Sequence, residues 1–375
     1  MVDPLRGVSL TPNGTITRIE SETQSFQCSA RSLPIASLSW RLNGSLLPAS
    51  SLPVTTNDTI TSFYTYTARK ADHGKKLSCT AIHISASFTE DALLNVLYRP
   101  IVTVYPNFNP FRVLENTRNI QLACIVSDAN PAVTSFKWNK NYSTISREAN
   151  YTIPTVNRLH AGNYTCRADN SVGDSDLSAA IQLDVLYGAE VLTINKTEVA
   201  EGTQLLITCD GQSNPSVTDN DVIWTKQNNN TFSMKGKQLV VRNVNRVDSG
   251  TYMCSVMTEL IPSIGQSLNV TMRTTVDVDV LYRPSVTIYP NYTMYNVIEN
   301  TSSLKLRCTV VDANPAATSY RWYTNGSLID GTAASFTVEN VRRSHTGRYT
   351  CIATNNVGSS DLSAAVQLIV MCKFE

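Results

Sequence analysis

The sequence has little of what enzymes and metalloproteins need. It contains only four histidines in 375 residues, and His73, His83, His160 and His345 lie too far apart to form a triad or a metal trio on sequence grounds. It has no Cys-x-x-Cys spacing, P-loop, Gly-x-Ser-x-Gly, His-Glu-x-x-His or calcium-loop motif. We therefore expect no catalytic residue, no cofactor and no metal, and predict that the chain is not an enzyme.

Excess charge and long apolar runs are also missing. Lys and Arg number 31 against 30 Asp and Glu, and no basic stripe appears, which argues against nucleic acid or an anionic membrane surface as a partner. The start, Met1-Val2-Asp3-Pro4, has no apolar signal region, and no membrane span precedes Phe374-Glu375. We expect a fragment, an incomplete gene model or a spliced form, with membrane attachment only through sequence missing from this chain.

Cysteine and tryptophan, by contrast, follow a fourfold pattern. In each copy a Cys is followed 12 to 15 residues later by a Trp and then by a second Cys, 42 to 51 residues after the first. In three of the copies, the second cysteine is the last residue of a Gly-x-Tyr-x-Cys string. The copies are Cys28, Trp40, Cys79; Cys124, Trp138, Cys166; Cys209, Trp224, Cys254; and Cys308, Trp322, Cys351.

This pattern resembles the immunoglobulin superfamily. The resemblance implies an all-β fold of four tandem immunoglobulin-like β-sandwiches, a disulfide between the two cysteines of each copy, and a buried Trp against it. It also implies a tyrosine corner at Tyr164, Tyr252 and Tyr349, whereas the first copy has Leu77 there and should lack the corner hydrogen bond. Paired cysteines favour an oxidising compartment over the cytosolic alternative, so we expect an extracellular or cell-surface location.

A recurring string marks the domain boundaries: Leu97-Tyr98-Arg99-Pro100, Leu186-Tyr187-Gly188-Ala189 and Leu281-Tyr282-Arg283-Pro284. Linkers this short predict a semi-rigid rod. The predicted domains are 1–98 (domain 1, C2-type), 99–187 (domain 2, I-set), 188–282 (domain 3) and 283–372 (domain 4, I-set). Alternating apolar residues predict strands before two of the boundaries, Ile181, Leu183 and Val185 before one and Val276, Val278 and Val280 before the other.

Domains 2 and 4 are copies of one another. Asp128-Ala129-Asn130-Pro131 recurs as Asp312-Ala313-Asn314-Pro315, 184 residues later, and Asp176-Leu177-Ser178-Ala179-Ala180 recurs with an offset of 185. A pair of domains was therefore duplicated. As a calcium site the first string offers too few carboxylates, so we predict a turn stabilised by Asp, Asn and Pro.

Twelve Asn-x-Ser/Thr sequons fall three to each domain, where chance gives about seven in all. Asn163 alternates with Tyr164 and Cys166, so it should face solvent if they face the core. The glycosylation candidates are Asn13, Asn43, Asn57, Asn141, Asn150, Asn163, Asn195, Asn229, Asn269, Asn291, Asn300 and Asn325.

Cys372 is the odd cysteine. It lies 21 residues after Cys351, as Tyr187 lies 21 after Cys166, so it occupies the position of the linker tyrosine. It could form an interchain disulfide, pair with a cysteine in absent sequence, or belong to a terminus altered by splicing or gene-model error.

The motifs resemble the I-set domains of nephrin-like and hemicentin-like adhesion molecules in domains 2 and 4, and nectin-like constant domains in domain 1. The resemblance implies a non-enzymatic adhesion or recognition module of a receptor ectodomain, binding a protein ligand in a homophilic or heterophilic way. Two alternatives stay open, a secreted or matrix structural rod and a soluble immune-type recognition protein.

Overall fold

A computed structural model describes residues 3–84, 86–191, 196–329 and 331–372. In these residues the secondary structure is all β, with short 3₁₀ segments at Lys70–Asp72, Arg158–His160, Asp219–Asp221, Arg246–Asp248 and Arg343–His345. The chain forms two compact units. One comprises Met1–Leu186 with Pro262–Gln266, and the other Tyr187–Ile261 with Ser267–Glu375.

Domain 1 is a two-sheet sandwich. One sheet has the order β1-β3-β7-β6, and the other has β2-β9-β8-β4-β5, with β2 parallel to β9. The strands are β1 Val8–Thr11, β2 Gly14–Ile19, β3 Thr23–Arg31, β4 Ser37–Leu42, β5 Ser45–Leu47, β6 Val54–Thr56, β7 Thr59–Thr67, β8 Lys76–His83 and β9 Ala86–Tyr105.

Domain 2 shares β9 with domain 1. The second half of β9 pairs with β11, which pairs with β14, and the facing sheet has the order β10-β17-β15-β12-β13. The 20-residue β9 therefore runs through the predicted linker without a break. The strands are β10 Phe111–Leu114, β11 Arg118–Asn130, β12 Ser135–Lys140, β13 Ser143–Ser146, β14 Asn150–Thr155, β15 Gly162–Asn170, β16 Gly173–Asp174 and β17 Ile181–Val191.

Domain 3 follows the same plan. Its larger sheet has the order β22-β21-β24-β25, with β18 parallel to β25, and β19 pairs with β23 in the other sheet. The strands are β18 Thr197–Ala200, β19 Leu205–Thr208, β20 Gly211–Asn214, β21 Val222–Lys226, β22 Asn229–Lys235, β23 Gln238–Val241, β24 Gly250–Leu260 and β25 Leu268–Tyr289.

Domain 4 takes its first strand from the end of β25, whose 22 residues span the linker as β9 does. That strand pairs with β27, which pairs with β30, and the facing sheet has the order β26-β32-β31-β28-β29. The strands are β26 Met294–Ile298, β27 Ser303–Asn314, β28 Ser319–Thr324, β29 Ser327–Ile329, β30 Ser335–Glu339, β31 Gly347–Thr354 and β32 Val366–Met371.

Each sandwich closes around a disulfide and a tryptophan. All four Trp side chains are at most 1% exposed, and the two alternating runs predicted at residues 181–185 and 276–280 point their apolar members into the cores. In this arrangement the apolar side chains of both sheets are removed from water, which is the main stabilising term for such a fold. The disulfides join Cys28 to Cys79, Cys124 to Cys166, Cys209 to Cys254, and Cys308 to Cys351.

Three domains have the tyrosine corner. In domain 1, Leu77 fills the tyrosine position, is completely buried and has no hydroxyl to donate. There the hydroxyl of Tyr66 accepts the N–H of Arg69 at 3.3 Å, so a different strand supplies a contact near the corner. In the other domains the tyrosine hydroxyl donates to a backbone oxygen four residues earlier: Tyr164 to His160 at 2.7 Å, Tyr252 to Asp248 at 2.9 Å and Tyr349 to His345 at 2.9 Å.

We expect Tyr252→Phe to lower the free energy of unfolding of domain 3 by about 1 kcal/mol, because the ring is kept and one buried hydrogen bond is lost. Chemical denaturation of the full chain measures this change in free energy, with the hydrogen exchange of the domain 3 amides as the readout. Tyr292→Phe is the matched control, since its side chain is exposed. Equal losses in the two variants would contradict the prediction.

Candidate recognition surface and interdomain clasps

The sequons that the structure describes lie on the surface. Eleven of the twelve asparagines are exposed, including Asn163, whose outward orientation the strand alternation predicted. Asn195 lies outside the described residues. Glycans at the eleven sites would project into solvent without disturbing a core.

Three surface hollows of the described residues have a sequon residue in their lining. The 600 Å³ hollow of domain 1 includes Thr59 of the Asn57 sequon, the 540 Å³ hollow of domain 3 includes Asn229, and a 330 Å³ hollow of domain 2 includes Asn141 and Asn163. Glycans there would cover these concave surfaces.

The fourth hollow, of 400 Å³, lies at the edge of domain 2 and has no sequon residue in its lining. Tyr105, Phe108 and Ile125 line it, and each is at least 40% exposed. The duplicated domain 4 differs here, because Asn291, a sequon asparagine, stands where domain 2 has Asn107. The two copies have therefore diverged in surface chemistry at this place.

Asn141 is the asparagine of a sequon, and it also forms hydrogen bonds within domain 2. Its Oδ1 accepts the backbone N–H of Asn163 at 3.0 Å, and its own N–H donates to the carbonyl of Asn163 at 3.0 Å. It adopts φ +44°, a left-handed conformation that Asn tolerates better than most residues. Replacing the asparagine therefore changes more than the glycan.

We expect Asn141→Gln to lower the free energy of unfolding by about 1–2 kcal/mol, and Ser143→Ala, which also destroys the sequon, to change it by less than about 0.5 kcal/mol. Both variants lack the glycan at Asn141, so the difference in their denaturation midpoints isolates the side chain. Asn325→Gln and Ser327→Ala provide the same comparison in domain 4, where Asn325 Oδ1 accepts the N–H of Arg348 at 2.9 Å. Equal midpoints within each pair would contradict the structural role.

Asp128 holds a contact between domains 1 and 2 that the sequence did not predict. Its Oδ1 accepts the Tyr98 hydroxyl at 2.8 Å, and its Oδ2 lies 2.8 Å from Lys70 Nζ. Lys70 Nζ also lies 4.7 Å from the centroid of the Tyr98 ring, within cation–π range. Asp128 thus bridges the linker tyrosine and the 3₁₀ corner of the preceding domain.

The charges of this contact favour its formation near neutral pH. Hydrogen bonds from Lys70 and then Tyr98 hold the pKa of Asp128 below its usual value, while burial and the Asp128 hydrogen bond raise the pKa of Tyr98 to about 12. Because the folded carboxyl has the lower pKa, its contribution is present above the pKa of the unfolded carboxyl and is lost as the pH falls through the folded value. The raised pKa of Tyr98 keeps its hydroxyl protonated throughout the neutral range.

Asn130 contacts the last residues of domain 1. Its Nδ2 donates to the carbonyl of Val96 at 2.6 Å and to Asn95 Oδ1 at 3.0 Å. Asp128 and Asn130 lie at the end of β11, which has register shifts there. The turn predicted for Asp-Ala-Asn-Pro is therefore wrong for these two residues, since both are in a strand and face the neighbouring domain.

Asn170 completes the contact and is only 4% exposed. Its Nδ2 donates to the carbonyl oxygens of Tyr98 at 2.8 Å and Pro131 at 3.0 Å. Its Oδ1 accepts the N–H groups of Val172 at 3.0 Å and Gly173 at 3.3 Å. All the hydrogen-bonding positions of this buried amide are therefore used. We call Lys70, Tyr98, Asp128, Asn130 and Asn170 the first clasp.

The same arrangement recurs between domains 3 and 4. Asp312 Oδ1 accepts the Tyr282 hydroxyl at 2.7 Å, and its Oδ2 lies 2.6 Å from Arg246 Nη1. The Cζ atom of the same guanidinium lies 3.9 Å from the centroid of the Tyr282 ring. Asn314 donates to the carbonyl of Val280 at 2.7 Å. The second clasp consists of Arg246, Tyr282, Asp312, Asn314 and Asn355, the last donating to the carbonyls of Tyr282 and Pro315 at 2.8 Å each.

Cys372 occupies the position of a linker tyrosine, as the residue count predicted. Met371 O accepts the N–H of Glu299 at 2.9 Å, as Leu281 O accepts that of Glu201 just before Tyr282. The Cys372 thiol is exposed, is not in a disulfide in the structure, and receives a hydrogen bond from Arg343 at 2.9 Å.

Metal and membrane features are not found in the described ranges. Within them, no three His, Cys, Asp or Glu side chains come together as a potential metal site. The same residues contain no helix with the length and apolar character of a membrane span.

Known families account for most of the chain. The family model of the CD80-like C2-set immunoglobulin domain matches residues 9–89. A second immunoglobulin-domain model matches residues 99–185 and again 190–274, and a third matches residues 283–355. The first of these matches lies within the domain for which the sequence predicts the C2 type.

Curated relatives agree with these matches. B-cell receptor CD22 of Mus musculus is 28% identical over 79% of this chain and 33% of its own length. Kin of IRRE-like protein 3 of Homo sapiens is 24% identical over 62% of this chain and 30% of its own length. Hemicentin-1 of Mus musculus is 22% identical over 96% of this chain and 7% of its own length. This chain thus spans a third or less of the length of these relatives.

Solved structures of several tandem domains also align with this chain. The N-terminal four immunoglobulin domains of Dscam1 isoform 4.44 align over 97% of this chain and all of theirs, at 17% identity and a TM-score of 0.30. The titin I-band fragment I67–I69 aligns over 73% of this chain and 98% of its own, at 16% identity and a TM-score of 0.38. On its domain matches, its relatives and its disulfide-braced sandwiches, the chain belongs to the immunoglobulin superfamily.

Proposed function

We propose that this chain is an extracellular adhesion or recognition module, part of a cell-surface receptor ectodomain that binds another protein. The observation that supports this most directly is that eleven exposed sequons are spread over disulfide-braced immunoglobulin domains. Sequons and disulfides both suit an oxidising secretory route.

Binding of a protein would use the surface between the glycans, by sheet faces or end loops. Adhesion proteins of the same superfamily as this chain bind in homophilic or heterophilic ways. The ligand is therefore expected to be a protein surface. Glycans would restrict where it can dock.

The test is binding of the glycosylated full chain, produced through the secretory route and displayed on beads. Saturable binding to a cell panel that is lost after protease treatment of the cells supports a protein ligand. Bead self-aggregation, with a dimer in sedimentation at micromolar concentration, supports homophilic binding. Beads that bind neither cells nor each other, although the protein is folded and glycosylated, would overturn the recognition proposal.

A structural spacer in the extracellular matrix is the second candidate. It is supported by β9 and β25, each of which runs from one domain into the next without a break. Such strands suit a stiff spacer as well as a receptor stalk. Absence of any binding to cells, together with recovery of the protein in a matrix fraction, would favour this candidate.

A further inference from the structure

The apolar cores of neighbouring domains are separate. The core cluster around the Cys28 disulfide shares no residue with the cluster around Cys124, and the clusters around Cys209 and Cys308 are likewise distinct. Within each compact unit, the continuous strand and the clasp are therefore the main described links between the domains. A strand alone leaves its two ends free to unfold independently, so the clasp becomes the important link.

Each clasp draws its groups from parts of both domains that exist only when those domains are folded. Lys70 begins the 3₁₀ corner of domain 1, which needs that domain's sandwich to form. Asp128 and Asn170 each lie four residues after a cysteine of the domain 2 disulfide, on strands that the bridge holds together. Unfolding of either domain would therefore leave the partner groups of the other without their hydrogen bonds.

We propose that each clasp couples the unfolding of its two domains, so that domains 1 and 2 melt as one unit and domains 3 and 4 as another. Asp128 and Asp312 are the residues through which this coupling acts. The Asp-Ala-Asn-Pro string is then a pairing device, and the clasped pair is the unit that was duplicated. Any partner that contacts both domains of a pair meets a surface of fixed geometry.

The chain offers a matched control. Asp91 accepts a hydrogen bond from Ser78 at 2.7 Å and lies 3.2 Å from Lys76 Nζ, and its pKa is lowered as that of Asp128 is. All three residues belong to domain 1, so Asp91→Asn removes a comparable charge without touching the clasp. Asp210, paired with Lys237 at 3.2 Å within domain 3, serves the second unit.

Scanning calorimetry and hydrogen exchange of the full chain test the proposal. For the unaltered protein we expect domains 1 and 2 to lose amide protection in one transition, with matching calorimetric and van't Hoff enthalpies. Asp128→Asn should divide this into two separate transitions, and Asp312→Asn should do the same for domains 3 and 4. Asp91→Asn and Asp210→Asn should shift a transition without dividing it.

Lys70→Met provides a second, milder route in case Asp128→Asn perturbs folding. Combined with Asp128→Asn it should add little further effect, because both changes remove one interaction. Four separate transitions in the unaltered protein would overturn the proposal. So would division of the first transition by Asp91→Asn as well as by Asp128→Asn, or additive effects in the double variant.

Discussion

Asn170→Ala should lower the free energy of unfolding of domain 2 by about 3 kcal/mol, more than an average substitution does. The side chain is buried, and its amide satisfies two carbonyl oxygens and two N–H groups, of Tyr98, Pro131, Val172 and Gly173. Alanine cannot replace these bonds. Buried polar groups left without partners each cost about 1–3 kcal/mol unless water reaches them.

Denaturation of the full chain, with hydrogen exchange to assign the affected domain, measures this loss. Asn139→Ala is the control, because Asn139 belongs to the same domain and accepts one exposed hydrogen bond from Thr144 at 3.1 Å. We expect it to cost less than about 0.5 kcal/mol. Asn355→Ala should repeat the large effect in domain 4. A loss below about 1 kcal/mol at both Asn170 and Asn355 would show that water replaces the amide.

The fold was predictable because its signals are local and repeat. The spacing of Cys124, Trp138 and Cys166 is fixed by the path of strands across one sandwich, and it returns in each copy. The inward orientation of Tyr164 and the exposure of Asn163 follow from the two-residue period of one strand. No knowledge of how domains meet was needed for any of these.

The clasps were missed because their groups come from different domains. Asp128 contacts Tyr98, 30 residues earlier, and Lys70, further back still, and that proximity depends on how domain 2 follows domain 1. A usable signal was nevertheless present in the sequence. Asp128 recurs as Asp312 and Asn170 as Asn355 in the duplicated copies, and a linker tyrosine precedes each pair.

One difference among the copies also escaped sequence reasoning. The indole N–H groups of Trp40, Trp138 and Trp322 each donate a hydrogen bond, to Ser62 Oγ or to a backbone oxygen. The buried indole N–H of Trp224 finds no partner among the described residues. The tryptophan position is set by the spacing from cysteine, but its acceptor differs between the copies: Ser62 lies on strand β7, whereas Ala149 and Ala333 lie before β14 and β30.

Removal of the domain 2 disulfide, by Cys124→Ala with Cys166→Ala, is expected to lower the free energy of unfolding by about 2–5 kcal/mol. The bridge closes a loop of 42 residues, for which the chain-entropy model gives about 4 kcal/mol. Both sulfurs lie in the core beside Trp138, so loss of packing adds to the effect.

The same double variant also tests how the core supports the clasp. Cys124 and Cys166 lie on β11 and β15, the strands that end in Asp128–Asn130 and Asn170, so loosening them should weaken the contacts to Tyr98. We therefore expect hydrogen exchange to rise at the corner of domain 1 as well as throughout domain 2. In the matching variant of domain 4, Cys308→Ala with Cys351→Ala, the rise should reach the Arg246 corner of domain 3. Faster exchange confined to the domain that lost its disulfide would mean that the clasp does not transmit the destabilisation to the neighbouring domain. This holds even if the loss of stability is as large as expected.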